Sequence, residues 1–149
     1  MKTLLVALDA SPVSEHVLAA ARALATAMDA KVVLLRVVGL PTELPPEAFA
    51  MAPDNVATLL EEAARKDMTV VSREVPPGML ADSVVTIGTP WRTICDVADE
   101  RNADVIVIGA HGHRFVDKIL GTTTSRVVSH TNRSVYIVRP SVTPVPKAD

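Results

Sequence analysis

The sequence predicts a single α/β domain built on a doubly wound, five-stranded parallel sheet. Three observations carry that expectation. Short apolar runs bounded by turn residues alternate with longer segments whose apolar residues recur at helical spacing. The apolar runs are nearly unbroken, as in KVVLLRVVG and VIVIG, which is the pattern of strands covered by helices on both faces. Each run is also separated from the next by at least one helical segment, as right-handed crossovers between parallel strands require. A chain of 149 residues and 15.8 kDa fits one such domain with a core large enough to fold unaided.

The first strand is TLLVALD, residues 3–9. Ser11 is placed to cap the next helix, with Pro12 in its first turn, where a missing N–H costs nothing. His16, Val17, Ala20, Leu24 and Met28 fall near one face of that helix. KVVLLRVVG, 31–39, is the second strand. LPTELPPEAFAMAP follows, and its prolines at 41, 45, 46 and 53 exclude a regular helix or central strand, so a long surface loop able to act as a lid is expected. From Asp54 a helix through VATLLEEAARKDMTVVSRE puts Val56, Leu59, Leu60, Ala63 and Val70 on one stripe; Pro76, Pro77 and Gly78 stop it. SVVTIG, 83–88, is the third strand. Thr89 and Pro90 open a helix with Ile94, Val97 and Ala98 inward, Cys95 beside them as a small hydrophobe, and Trp91 as a packing residue at its start. ADVIVIG, 103–109, and SVYIVRP, 134–140, are the fourth and fifth strands. The domain is expected over 1–140, and the proline-bearing tail SVTPVPKAD, 141–149, outside its core.

Composition narrows the function. Hydrophobic residues make up 48% of the chain and aromatics only 3%, so the core must be Val, Leu, Ile and Ala. With a formal net charge of -2 and no basic block, the chain offers no footprint for nucleic acid or an acidic membrane surface. The lone Cys95 closes no intrachain disulfide, which favours a reducing compartment. No run is long enough for a signal h-region or a membrane span. A cytoplasmic location is expected.

In a doubly wound sheet, ligands bind beyond the carboxyl ends of the strands where the connections diverge. The first strand ends in Asp9, Ala10 and Ser11, the fourth in Gly109, Ala110, His111 and Gly112. If the order is 3-2-1-4-5, both ends face one crevice. Glycines there let a ligand approach the main chain, and successive N–H groups form an anion-binding concavity. Gly121 then precedes Thr122, Thr123, Thr124 and Ser125 at the start of the last helix, where free N–H groups and the helix dipole also favour an anion. Phosphate is the natural guest. Glycine turns and threonine caps also occur in βα units that bind nothing. Neither GxxxxGK[ST] nor GxGxxG is present. His111 and His113, two residues apart with no nearby Cys, read as neighbours of solvent or phosphate rather than metal ligands.

Taken together, LLVALDAS, LLRVV, ADVIVIGAHG and ILGTTTSRVVSHTNRSVYIVRP resemble the universal stress protein family over residues 2–140. The resemblance implies a Rossmann-like, adenine-nucleotide alpha-hydrolase-like sheet of order 3-2-1-4-5 and a cytoplasmic homodimer. It also implies the branch that binds ATP through GxxG, nine residues, then G[ST], with AMP or another adenine nucleotide as variants. By position, Asp9 would face the ribose and phosphates, with Ala10 and Ser11 beside it. Val37 would offer backbone contacts to adenine. Gly109 and Gly112, flanked by His111 and His113, would wrap the phosphates, and Gly121, Thr122 and Thr123 would hold their far end. Two positions depart from the pattern. Only eight residues, His113 to Leu120, separate Gly112 from Gly121. If the missing residue comes out of the loop, FVDKIL keeps its helical register; if out of the helix, Gly121 turns by about 100° and shifts by about 1.5 Å. Ala10 stands where the family often has Gly, and needs a negative φ.

Asp9 alone could hold a Mg²⁺ bridging phosphates, but no Lys or Arg finger or water-positioning residue is evident, so any ATP hydrolysis would be slow. A receiver domain is excluded: Gly88 and Arg139 occupy the places of its Asp and Lys. The last strand, 134–139, carries Val135, Ile137 and Val138 without interior charge, a hazard if left bare. The resemblance implies that it pairs antiparallel with its copy in an isologous dimer. A further protein partner would read the nucleotide state through the proline-rich loop. The alternative is a nucleotide-free dimeric scaffold.

Overall fold

The computed structural model describes residues 2–39, 53–110 and 120–140. The chain runs β1 (Lys2–Leu8), α1 (Val13–Met28), β2 (Ala30–Val38), α2 (Pro53–Ser72), β3 (Leu80–Ile87), α3 (Pro90–Glu100), β4 (Val105–Gly109), α4 (Thr122–His130) and β5 (Ser134–Val138). The five strands form one sheet in the order β3-β2-β1-β4-β5. Every neighbouring pair is parallel. The fold class and strand order are therefore as the sequence predicts.

Two apolar layers explain the unbroken strand runs. Leu4, Val6 and Leu8 of β1, with Val32 and Leu34 of β2, pack against α1 and α2. Leu5, Val33 and Leu35, one residue out of phase, pack with Ile106 and Ile108 against Ile94, Val97 and Ala98 of α3 and Val127 of α4. Successive side chains alternate between faces, and both faces are dry. Trp91 and Cys95 pack partly buried against this second layer.

Several local expectations change. Ser11 does not cap α1; the residue before the helix is Pro12, no side chain caps it, and the Ser11 hydroxyl is turned into the protein. The inner face of α1 is Val13, Val17, Leu18, Ala21 and Ala25, with Ala20, Leu24 and Met28 only partly buried. Asp29, at φ 52°, ends that helix and donates its N–H to Ala25 and Thr26 carbonyls, a left-handed position that Asp tolerates better than most residues. On α2, Leu59 is 54% and Val70 58% exposed, and the stripe that faces the sheet is Leu60, Ala64, Met68 and Val71. The proline-rich loop at 40–52, most of FVDKIL and the tail at 141–149 lie outside the described residues.

Candidate functional site

β1 and β4 are neighbours, and the helices that follow them cover opposite faces. Their carboxyl ends therefore splay around a crevice, the position at which this class of sheet takes ligands. A cavity of about 280 Å³ opens there, with an apolar floor that includes Leu35, Ile94 and Ile108. Of the sequence candidates, Asp9, Ser11, Val37, Gly109, Gly121, Thr122 and Thr123 all line it. Ala10 is exposed and does not line it. His111, Gly112 and His113 lie outside the described residues.

Asp9 is anchored on one side. Its Oδ1 accepts the Ser11 N–H at 2.8 Å and lies 3.1 Å from the Ser14 hydroxyl. Ser14 Oγ in turn accepts the Asp9 N–H at 3.0 Å and lies 2.8 Å from the Asp9 carbonyl oxygen. Having one proton, this hydroxyl donates to either the carbonyl or the carboxylate oxygen. Asp9 Oδ2 has no hydrogen bond among the described residues. The result is a carboxylate with one oxygen fixed and the other open to a ligand. Ser11, 5% exposed, has its Oγ buried without a partner among the described residues, an acceptor and donor that a native fold seldom leaves idle.

Across the crevice, α4 begins at Gly121 (φ -60°, ψ 159°) with no side-chain cap. The N–H groups of its first turn have no partner inside the helix, and such a helix start favours an anion. Two bonds hold this helix start to the end of β4. The Gly121 N–H donates to Ala110 O at 2.7 Å, and the Thr124 hydroxyl donates to Gly109 O at 2.6 Å. Gly121 is thus held at the crevice by the end of β4, and eight residues separate it from Gly112 in sequence. Val37 stands one residue past the last β1–β2 pair, Leu8 with Arg36, on the β2 wall.

Among the described residues no glycine has a positive φ, and Asp29 and Asn102 are the residues that do. Gly109 and Gly121 therefore do not serve left-handed turns, and both line the crevice. Ala10 accordingly meets the negative-φ condition. Sequence reasoning missed Ser14 and Pro90, both in the wall, and the inward role of Thr124. The Asp-x-Ser-x-x-Ser spacing was the available signal for Ser14. Among the described residues no three His, Cys, Asp or Glu side chains are grouped to hold a metal ion, and no helix is long and apolar enough to cross a membrane. Burial pushes the Cys95 thiol up from its ordinary value, and Asp96 and Asp99 add to the shift.

Residues 1–139 match the model of the universal stress protein family. Among curated proteins, a universal stress protein A homolog from Coxiella burnetii is 29% identical over 85% of this chain and 88% of its own length. A universal stress protein of Methanocaldococcus jannaschii is 28% identical over 54% of this chain, a stretch that spans 51% of that protein. Its solved structure has a TM-score of 0.79 at 24% identity, covering 95% of this chain and 98% of that one. The same fold, at 19% identity and a TM-score of 0.57 over 93% and 97% of the two chains, is found in an Archaeoglobus fulgidus universal stress protein in complex with dAMP. A further universal stress protein, in complex with cAMP, matches at 20% identity and 0.61 over 94% and 98%.

Proposed function

The chain belongs to the universal stress protein family, and from that membership we propose that it is a stress-response protein that binds an adenine nucleotide, ATP in the first place, in the β1/β4 crevice. One observation carries the reading: a single cavity joins the uncapped start of α4 to the unengaged carboxylate oxygen of Asp9. An anion and a hydroxyl donor in one ligand suit that pair, and a nucleotide has both. The dAMP and cAMP complexes of two proteins of this fold support the ligand class. The Ser11 hydroxyl, which has no partner among the described residues, supports it from this chain's own residues.

In this reading Asp9 takes the ribose hydroxyls, Val37 offers backbone groups to adenine, and Gly109 with Gly121, Thr122 and Thr123 receives the phosphates. Ala10, His111, Gly112 and His113 complete the rim by sequence position. Mg²⁺ needs few protein ligands when phosphates supply most of its coordination, so it would come with the nucleotide, Asp9 acting on it only indirectly. The protein acts in the cytoplasm as a dimer joined through β5, and nucleotide occupancy is read by a partner at the loop 40–53. The shortened spacing between Gly112 and Gly121 favours a second reading, a nucleotide-free dimeric scaffold; slow hydrolysis is a variant of the first. Calorimetric titration with ATP, AMP and cAMP in Mg²⁺ separates them. Micromolar binding of ATP that Gly109→Val abolishes is expected; no heat with any nucleotide leaves the scaffold.

A further inference from the structure

Where α3 and α4 lie together, Trp91 is flanked by two arginines and a histidine. Its ring centre is 4.4 Å from that of His130, with the planes 37° apart. The guanidinium carbons of Arg92 and Arg126 stand 5.3 and 5.9 Å from the same ring, both within cation–π reach. Arg92, Arg126 and His130 are exposed, while Trp91 is half-buried on the apolar layer beneath it.

Among the described residues the two arginines of this patch make no ion pair. Arg36, Arg65, Arg101 and Arg133 are each paired with a carboxylate. Arg92 and Arg126 have no such partner among the described residues. Asp96, one turn from Arg92 on α3, makes no ion pair with it, and Asp99 is held by Arg133. Two unpaired guanidiniums beside one indole match a ligand with two carboxylates and an apolar side chain, because the guanidinium fork binds carboxylates in two-point fashion.

We propose that this patch is a docking site for an acidic segment of a partner protein. Nucleic acid fits less well, since two arginines neutralise few phosphates whereas they suffice for the two carboxylates of a short acidic segment. The site is distinct from the crevice but touches the same elements. Pro90, which precedes Trp91, lines the crevice, and Thr122, Arg126 and His130 recur every fourth residue along α4. The proposal does not depend on nucleotide binding.

Trp91 is the only tryptophan of the chain, so intrinsic fluorescence reports on the patch directly. The probe is a synthetic peptide of six glutamates and one leucine, titrated into the full chain beside a glutamine counterpart and an oligothymidylate. A saturable change in emission with the glutamate peptide is expected, weakened by added salt and about tenfold weaker in the Arg92→Gln, Arg126→Gln double variant. The glutamine peptide should produce none. Arg73→Gln, which removes another exposed arginine without an ion pair, should leave the affinity unchanged, and circular dichroism checks that the double variant is folded. No saturable change, equal affinity in a folded double variant, or tighter binding of the oligothymidylate at the same arginines would overturn the proposal.

Discussion

Asp9 shows how much of the site is decided by single side chains. Its position at the end of an apolar run marks it in the sequence, but its engagement with Ser14 does not show there. That pairing depends on how the chain turns between β1 and α1, which no periodicity reports. Ser14→Ala removes the acceptor of the Asp9 N–H and the donor beside its carboxylate. ATP affinity should fall several-fold, with stability lower by about 1 kcal/mol; calorimetry and thermal melting measure the two. Ser11 was misread for the same reason: a serine before a helical run looks like a cap, whereas here its N–H serves Asp9 and its hydroxyl is buried. Asp82 offers a pH test. The hydrogen bond from Arg101, helped by the Ser83 N–H and the Arg101 charge and opposed by burial, holds its carboxyl below the ordinary 3.8. A carboxyl lowered on folding stabilises above its unfolded pKa, and the gain is lost as pH falls through the folded value. Arg101→Ala should therefore cost stability at neutral pH, with the gap to the parent closing below the ordinary 3.8. Both side chains are more than a third exposed, 40% and 43%, so solvent screening should keep the loss under about 1 kcal/mol.

Among the elements, the strands were the most legible because two-sided burial writes itself as continuous apolar sequence. Helix phase was less so. On α2, Leu59 and Val70 attract attention by size, yet the sheet takes Leu60, Ala64 and Met68. A helix with apolar residues on more than one face has no unique inner stripe until a partner is present. Met68, 3% exposed, should cost about 2–5 kcal/mol when replaced by Ala. Leu59→Glu should stay within about 0.5 kcal/mol. Denaturant unfolding of both variants checks the phase, and the reverse order would favour the sequence-derived stripe. The join between β4 and α4 was legible as glycines and hydroxyls but not as a clasp. Thr124, 4% exposed, spends its hydroxyl on Gly109 O. Thr124→Val keeps the shape and strips that carbonyl of its donor, so a loss of about 1–3 kcal/mol in thermal or chemical unfolding is expected.

At the scale of the molecule, the strand order brings Asp9 and Gly121, far apart in sequence, into one crevice, and the resemblance carried by the motif segments gave that order from sequence. What the sequence did not give was the outer face of β5. Val135 and Ile137 pack on the molecule's own second layer, whereas Tyr136 is 46% exposed. Ile137→Lys would thus damage the monomer core as well as any interface. Tyr136→Lys is the cleaner test of the proposed β5 dimer: light scattering should show monomers, and an unchanged dimer would point to another surface. Whether an adenine nucleotide occupies the β1/β4 crevice is read from amide chemical-shift mapping during titration with Mg²⁺ and ATP. Shifts are expected at the amides of Thr122, Thr123 and Thr124, at Gly109 and from Asp9 to Ser11, with none at Lys31 and Gly78, which line a second cavity at the opposite end of the sheet. Saturable shifts confined to that other end, or no shifts at the start of α4, would contradict binding in the crevice.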